Sequence, residues 1–92
     1  MEARALLQAA KRGGMEALEE LFRIYQPRLC RYAYALTRSR EEAEDVAQGA
    51  LVSMLRALPD FRGADAGKFE GWLLRIARNR VYSEARRKRP AP

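Results

Sequence analysis

Arg75, Arg78, Tyr82, Arg86 and Arg89 recur at about one-turn spacing near the end of this sequence, with Asn79 on their flank. Guanidinium groups hold phosphates in planar, bidentate fashion and displace counterions from a polyanion. An aromatic ring can stack on an exposed base, and a carboxamide can hydrogen-bond a base edge through two atoms. The surroundings add to the charge. Residues 75–92 carry Arg75, Arg78, Arg80, Arg86, Arg87, Lys88 and Arg89 against Glu84 alone, whereas residues 1–74 hold eleven basic and eleven acidic side chains. The net charge of +6 therefore sits in the last fifth of the chain. A solvated helix face more commonly mixes Lys with Glu at i, i+4. Here arginine outnumbers lysine six to one after residue 74, and a polyanion is the implied partner.

Other chemistries have little to work with. There is no histidine and Cys30 is the only cysteine, which excludes zinc sites, His-based triads and imidazole acid–base catalysis. No P-loop or GxGxxG occurs, and Gly13-Gly14 is too short to cradle a phosphate. Glu41, Glu42, Glu44 and Asp45 cluster where a helix start favours negative charge, although Glu41, Glu44 and Asp45 leave a metal-dependent nuclease as the enzymatic alternative. The reading is a binding protein, not an enzyme, with no cofactor and no metal. A lone cysteine cannot form an internal disulfide, and Cys30 lies in an apolar stripe, so it is expected as a small core residue. Met1-Glu2 opens no basic-then-apolar leader, and cytoplasmic residence is expected by default.

The elements that must position these residues read as helices. Ninety-two residues, 48% hydrophobic and 33% charged, suit one compact helical domain. A first helix, about Glu2 to Arg12, places Ala5, Leu6, Ala9 and Ala10 on one side and stops at Gly13-Gly14. A second, about Glu16 to Thr37, carries Leu18, Leu21, Phe22, Tyr25, Leu29, Tyr32, Ala33 and Leu36 at three-four spacing. Pro27 inside it predicts a kink or a break. Ser39-Arg-Glu-Glu42 has capping-box spacing and opens a third helix to about Ala57, with Ala43, Val46, Ala47, Ala50, Leu51, Met54 and Leu58 inward. Pro59 ends it. A loop to Gly67 precedes a fourth helix, about Lys68 to Arg87, whose core face is predicted as Phe69, Trp72, Leu73 and Ile76, with the stem of Arg80 nearby. The fold class is all-α, a small bundle of three to four helices whose last helix is long and basic.

About nine residues separate the third and fourth helices, too many for a helix-turn-helix, so duplex reading by a recognition helix is not expected. A long loop beside a basic, aromatic-bearing helix suits single-stranded or opened DNA better. A basic amphipathic helix lying on a membrane is the other polyanion reading. It lacks an apolar face to spare, because Phe69, Trp72 and Ile76 are assigned to the core, so no membrane partner is expected.

The segment Phe69-Glu-Gly-Trp72-Leu73-Leu-Arg-Ile76-Ala77-Arg78-Asn79, followed by Arg86-Arg87-Lys88-Arg89, resembles the region 2 signature of extracytoplasmic-function sigma factors. Ala43-Glu44-Asp45-Val46-Ala47-Gln48 is similar to a second motif of that family. The opening Leu6-Leu7, Gly13-Gly14, Ala17-Leu18, Leu21-Phe22, Tyr25 and Leu29 is similar to the family's first helices, so the resemblance covers about residues 4 to 89. It implies a transcription initiation module. The segment from Asp45 to Met54 would dock on the clamp-helix coiled coil of the largest RNA polymerase subunit, with Asp45, Gln48 and Ser53 as docking candidates. The last helix and its loop would recognise the non-template strand of the −10 promoter element, capture a flipped base and help to open the duplex. Arg75, Arg78, Asn79, Tyr82, Arg86, Arg87 and Arg89 become DNA-contacting candidates, and Asp60, Phe61, Arg62, Gly63, Ala64 and Asp65 the specificity loop. An anti-sigma regulator is the alternative partner for the same surfaces. The chain departs from the family at two places, with Gly49 where a glutamate is usual and Ser83 where an aspartate is usual. Residues 1–89 are assigned to the domain, and Pro90-Ala91-Pro92 reads as the start of a linker to a second domain that reads the −35 element.

Overall fold

A computed structural model describes residues 2–63 and 65–88, all helix, turn or loop with no strand among them. Four α-helices run in order, α1 (Ala3–Lys11), α2 (Met15–Thr37), α3 (Arg40–Ala57) and α4 (Ala66–Arg87), with a 3₁₀ turn at Leu58–Asp60 between α3 and α4. This is the all-α bundle with a long basic last helix that the patterning indicated.

The boundaries follow from local chemistry. The end of α1 is a Schellman closure: Gly13 takes φ +85°, its amide donates to the Ala10 carbonyl at 2.9 Å, and the Gly14 amide donates to Ala9 at 3.0 Å. Of the kink or break expected at Pro27, the break does not occur, and α2 runs unbroken through it. Its buried residues Leu21, Tyr25, Leu29 and Ala33 lie on both sides of the proline, and this shared packing outweighs one lost backbone hydrogen bond. Only Arg38 and Ser39 separate α2 from α3, and Arg38 accordingly adopts the left-handed conformation at φ 58°. Ser39 caps α3, its hydroxyl accepting from the Glu42 amide at 3.2 Å. The reciprocal half of the capping box does not form. Glu42 instead accepts from Nζ of Lys88 at 2.6 Å, tying the start of α3 to the end of α4.

The core is one cluster to which all four helices contribute. Every residue assigned inward on α3 is buried. On α4 the stripe is rotated from the expected one. Phe69, Leu73, Ala77 and Val81 are buried at strict four-residue spacing, while Trp72 and Ile76 are only partly buried at its edge. On α1, Leu7 is buried and Ala5 exposed, because leucine gains far more from burial than alanine. Leu36 ends the α2 stripe exposed. Cys30 packs at the core margin, where burial and the nearby Glu44 carboxylate push its thiol up.

Candidate nucleic-acid interface

Helix α4 begins two residues earlier than its periodicity suggested, because Asp65 is its N-cap: the carboxylate accepts from the Lys68 amide at 3.0 Å. Hydrogen bonds from the Lys68 and Gly67 amides hold that carboxyl below its ordinary range. The expected nine-residue loop is thereby shortened. Pro59 and Asp60 lie in the 3₁₀ turn and Asp65 belongs to the helix start, which leaves Phe61, Arg62 and Gly63 as the described part of the connection.

Within that connection Phe61 turns inward. Its ring stacks at a tilt against Trp72 (4.8 Å between centroids) and meets Phe69 edge-on at 5.6 Å, and Phe69 in turn meets Tyr25 edge-on at 5.3 Å. The Lys11 ammonium donates to the Phe61 carbonyl and lies 5.9 Å from the ring centre. This contribution from α1 carries no sequence signal, since its two ends are fifty residues apart. Phe61 therefore anchors the loop, and Arg62 and Gly63 (φ +100°) are its exposed part. Ala64 and Arg89, both candidates on sequence grounds, lie outside the described residues, as do residues 90–92 assigned to a linker.

Arg75, Arg78, Asn79, Tyr82, Arg86 and Arg87 are all exposed on α4, with Tyr82 presenting 49% of its surface. Arg75 and Arg78 make no ion pair among the described residues. Arg86 donates to the Ser83 hydroxyl at 3.3 Å, and Arg87 is engaged by Glu84 at 3.1 Å. From Arg75 to Arg86 the face spans about 17 Å of helix. It offers unpaired cations for phosphates, one ring for stacking and one amide for an edge.

The second face lies on α3. Asp45 and Gln48 are exposed, three residues apart on one side of the helix. Ser53 is not with them; it is half-buried and lines the groove toward α4 beside Trp72 and Asn79. Val52 and Leu55, with 47% and 40% of their surfaces exposed, continue the Gln48 strip by helical spacing. The sequence reading passed over both. Their signal was an apolar pair off the main stripe at i+4 and i+7 from Gln48.

Gly49 takes on a reason in the structure. A Cβ built there would collide with Nε, Cζ and Nη2 of Arg80, which crosses from α4 onto this point of α3. A glutamate at 49 is therefore not a simple gain, because any side chain must first displace Arg80.

The family model for sigma-70 region 2 matches residues 21–91. RNA polymerase sigma-H factor from Pseudomonas aeruginosa is 37% identical over 87 residues, covering 92% of this chain and 44% of its own length. ECF RNA polymerase sigma factor SigW from Bacillus subtilis is 32% identical over 85 residues, covering 91% of this chain and 44% of its own. ECF RNA polymerase sigma factor SigE from Mycolicibacterium smegmatis is 34% identical over 74 residues, covering 80% of this chain and 28% of its own. The chain thus spans less than half the length of these curated relatives. No solved structure matches it. With a family model over most of the chain and these relatives across nearly all of it, the chain belongs to the sigma-70 region 2 family, as region 2 of an ECF sigma factor.

Proposed function

We propose that this domain docks on RNA polymerase through α3 and holds the non-template strand of an opened −10 element along α4. The observation that carries the reading is the α4 face itself, where unpaired Arg75 and Arg78 stand with exposed Asn79 and Tyr82 beside a loop anchored by Phe61. The mechanism is stoichiometric. Phosphate contacts from Arg75, Arg78 and Arg86 favour the separated strand, Tyr82 stacks on one base, and Asn79 reads one edge. Arg62 and Gly63 at the loop tip contact the base that is turned out. Binding energy opposes re-pairing, and no covalent bond is made or broken.

On α3, Asp45 and Gln48 supply polar contacts and Val52 with Leu55 an apolar patch for the clamp-helix coiled coil of the largest polymerase subunit. Exposed aliphatic residues beside a polar rim are the anatomy of a protein interface. The decisive experiment titrates single-stranded −10 DNA against this chain and its arginine and tyrosine variants at several salt concentrations. Arginine variants that bind as tightly as the parent with an unchanged salt slope would mean that the basic face is only solvated surface.

A further inference from the structure

The loop tip at Arg62 and Gly63 makes no backbone–backbone hydrogen bond among the described residues, so its course is set by the two ends that hold it. The far end is Asp65, fixed as the N-cap of α4. The near end is Phe61. Its amide donates to the Leu58 carbonyl at 3.0 Å, and its ring packs against Phe69 and Trp72. Those contacts place the Phe61 Cα but leave the next peptide free to turn about ψ. A peptide unit is planar, so the direction of the Phe61 carbonyl also fixes how the chain leaves toward Arg62. That carbonyl accepts from the Lys11 ammonium, which stands 5.9 Å from the centre of the same ring. Lys11 is the last residue of α1, behind buried Leu7 and Ala10 and before the Gly13-Gly14 closure, so the ammonium is delivered from a fixed base. It lies outside residues 21–91, the segment that matches the family model.

We propose that Lys11 is a positioning residue for the loop, an inference that rests on the loop tip meeting a turned-out base. By fixing the Phe61–Arg62 peptide, α1 sets where Arg62 and Gly63 stand. A hydrogen bond from a charged donor is stronger than a neutral one, and this one spans two elements fifty residues apart. A loop already in its binding conformation spares the ordering cost, so affinity for the correct base rises with the fraction of molecules in that conformation. A wrong base that makes no use of the loop gains nothing. Lys11 thereby contributes to discrimination and not to phosphate binding.

The experiment compares the 92-residue chain with Lys11→Met, which keeps an unbranched stem and removes the donor, and with Lys11→Arg, which restores a cationic donor. Each is titrated at several salt concentrations with single-stranded −10 oligonucleotides changed one base at a time. The heteronuclear NOE of the Gly63 amide, which reports fast backbone motion, is recorded without DNA. Lys11→Met should lower discrimination at one base position about tenfold, leave the salt slope unchanged and lower the Gly63 NOE. Lys11→Arg should recover most of both losses. A uniform loss of affinity for every oligonucleotide would make Lys11 merely structural, and a lower salt slope with discrimination intact would make it a phosphate contact. Either result overturns the positioning role, as does a Gly63 NOE in Lys11→Met equal to the parent's. If the parent itself discriminates at no position, the loop reading fails first and the positioning role falls with it.

Discussion

If α4 holds a strand as proposed, Tyr82 and the arginines around it act on it through different physics, and their variants should separate accordingly. Tyr82→Ala removes stacking and should weaken single-stranded DNA binding by about 1–3 kcal/mol with the salt slope unchanged. Arg75→Ala or Arg78→Ala removes a phosphate contact, which should weaken binding for every sequence and lower the salt slope by about 0.7 each. Arg87 is held by Glu84, so Arg87→Ala should change the slope less than Arg78→Ala does. Asn79→Ala should relax preference at one base position only. Fluorescence anisotropy at four salt concentrations distinguishes the three classes, and a tyrosine variant that altered the slope would contradict the stacking role.

Within α4 the four-residue stripe sets which residues are structural. Leu73 is fully buried, so Leu73→Ala should cost about 2–5 kcal/mol in a denaturant titration. Trp72 is larger yet only partly buried and leans on Phe61, so Trp72→Ala should cost less than its volume suggests. A larger loss at Trp72 than at Leu73 would mean that the buried stripe is assigned wrongly. The helix start carries its own pH signature. Asp65 has its folded pKa depressed by backbone amides, so its contribution is present above the unfolded carboxyl value and is lost as pH falls through the lowered folded one. Asp65→Ala should therefore flatten the acid limb of the stability profile while leaving neutral-pH helicity nearly intact. On α3, Val52→Asp with Leu55→Asp should abolish binding to a polymerase clamp-helix fragment without changing helical circular dichroism. Wild-type affinity in that variant would place docking elsewhere.

At the scale of the whole molecule, stability and the proposed DNA binding rest on different forces. One apolar cluster joins all four helices, whereas the pairs that cross between elements, Arg28–Glu70 at 2.5 Å and Lys88–Glu42 at 2.6 Å, are solvent-exposed. Exposed pairs contribute little and are screened by salt. Raising salt from 50 to 500 mM (about 14 to 4 Å in Debye length) should leave the melting temperature nearly unchanged while DNA affinity falls steeply. A melting temperature that fell in parallel with affinity would assign the fold to its ion pairs. The two faces lie on different helices, so Asp45→Ala with Gln48→Ala should weaken polymerase binding and spare DNA binding. Gly49 is the exception, because its contact with Arg80 links α3 to α4.

Helix number, the inward face of α3, the Ser39 cap, the stop at Gly13-Gly14 and the exposed arginine–tyrosine row were all legible in the sequence. Each depends on residues within a few turns of one another, where spacing and capping chemistry act directly. The tertiary structure decided what depends on a second element. It rotated the α4 stripe from Trp72 and Ile76 to Ala77 and Val81, which lie in the common core while Trp72 and Ile76 stand at its edge. It drew Glu42 away from its own helix to Lys88, drew Phe61 out of the loop onto Phe69 and Trp72, and kept α2 intact through Pro27. It also explained Gly49, which as sequence is only a poor helix former and in the fold is the space that Arg80 occupies. A pattern along one chain records which face of a helix is apolar. Which side chain on a distant segment fills the remaining space is settled only when the helices pack.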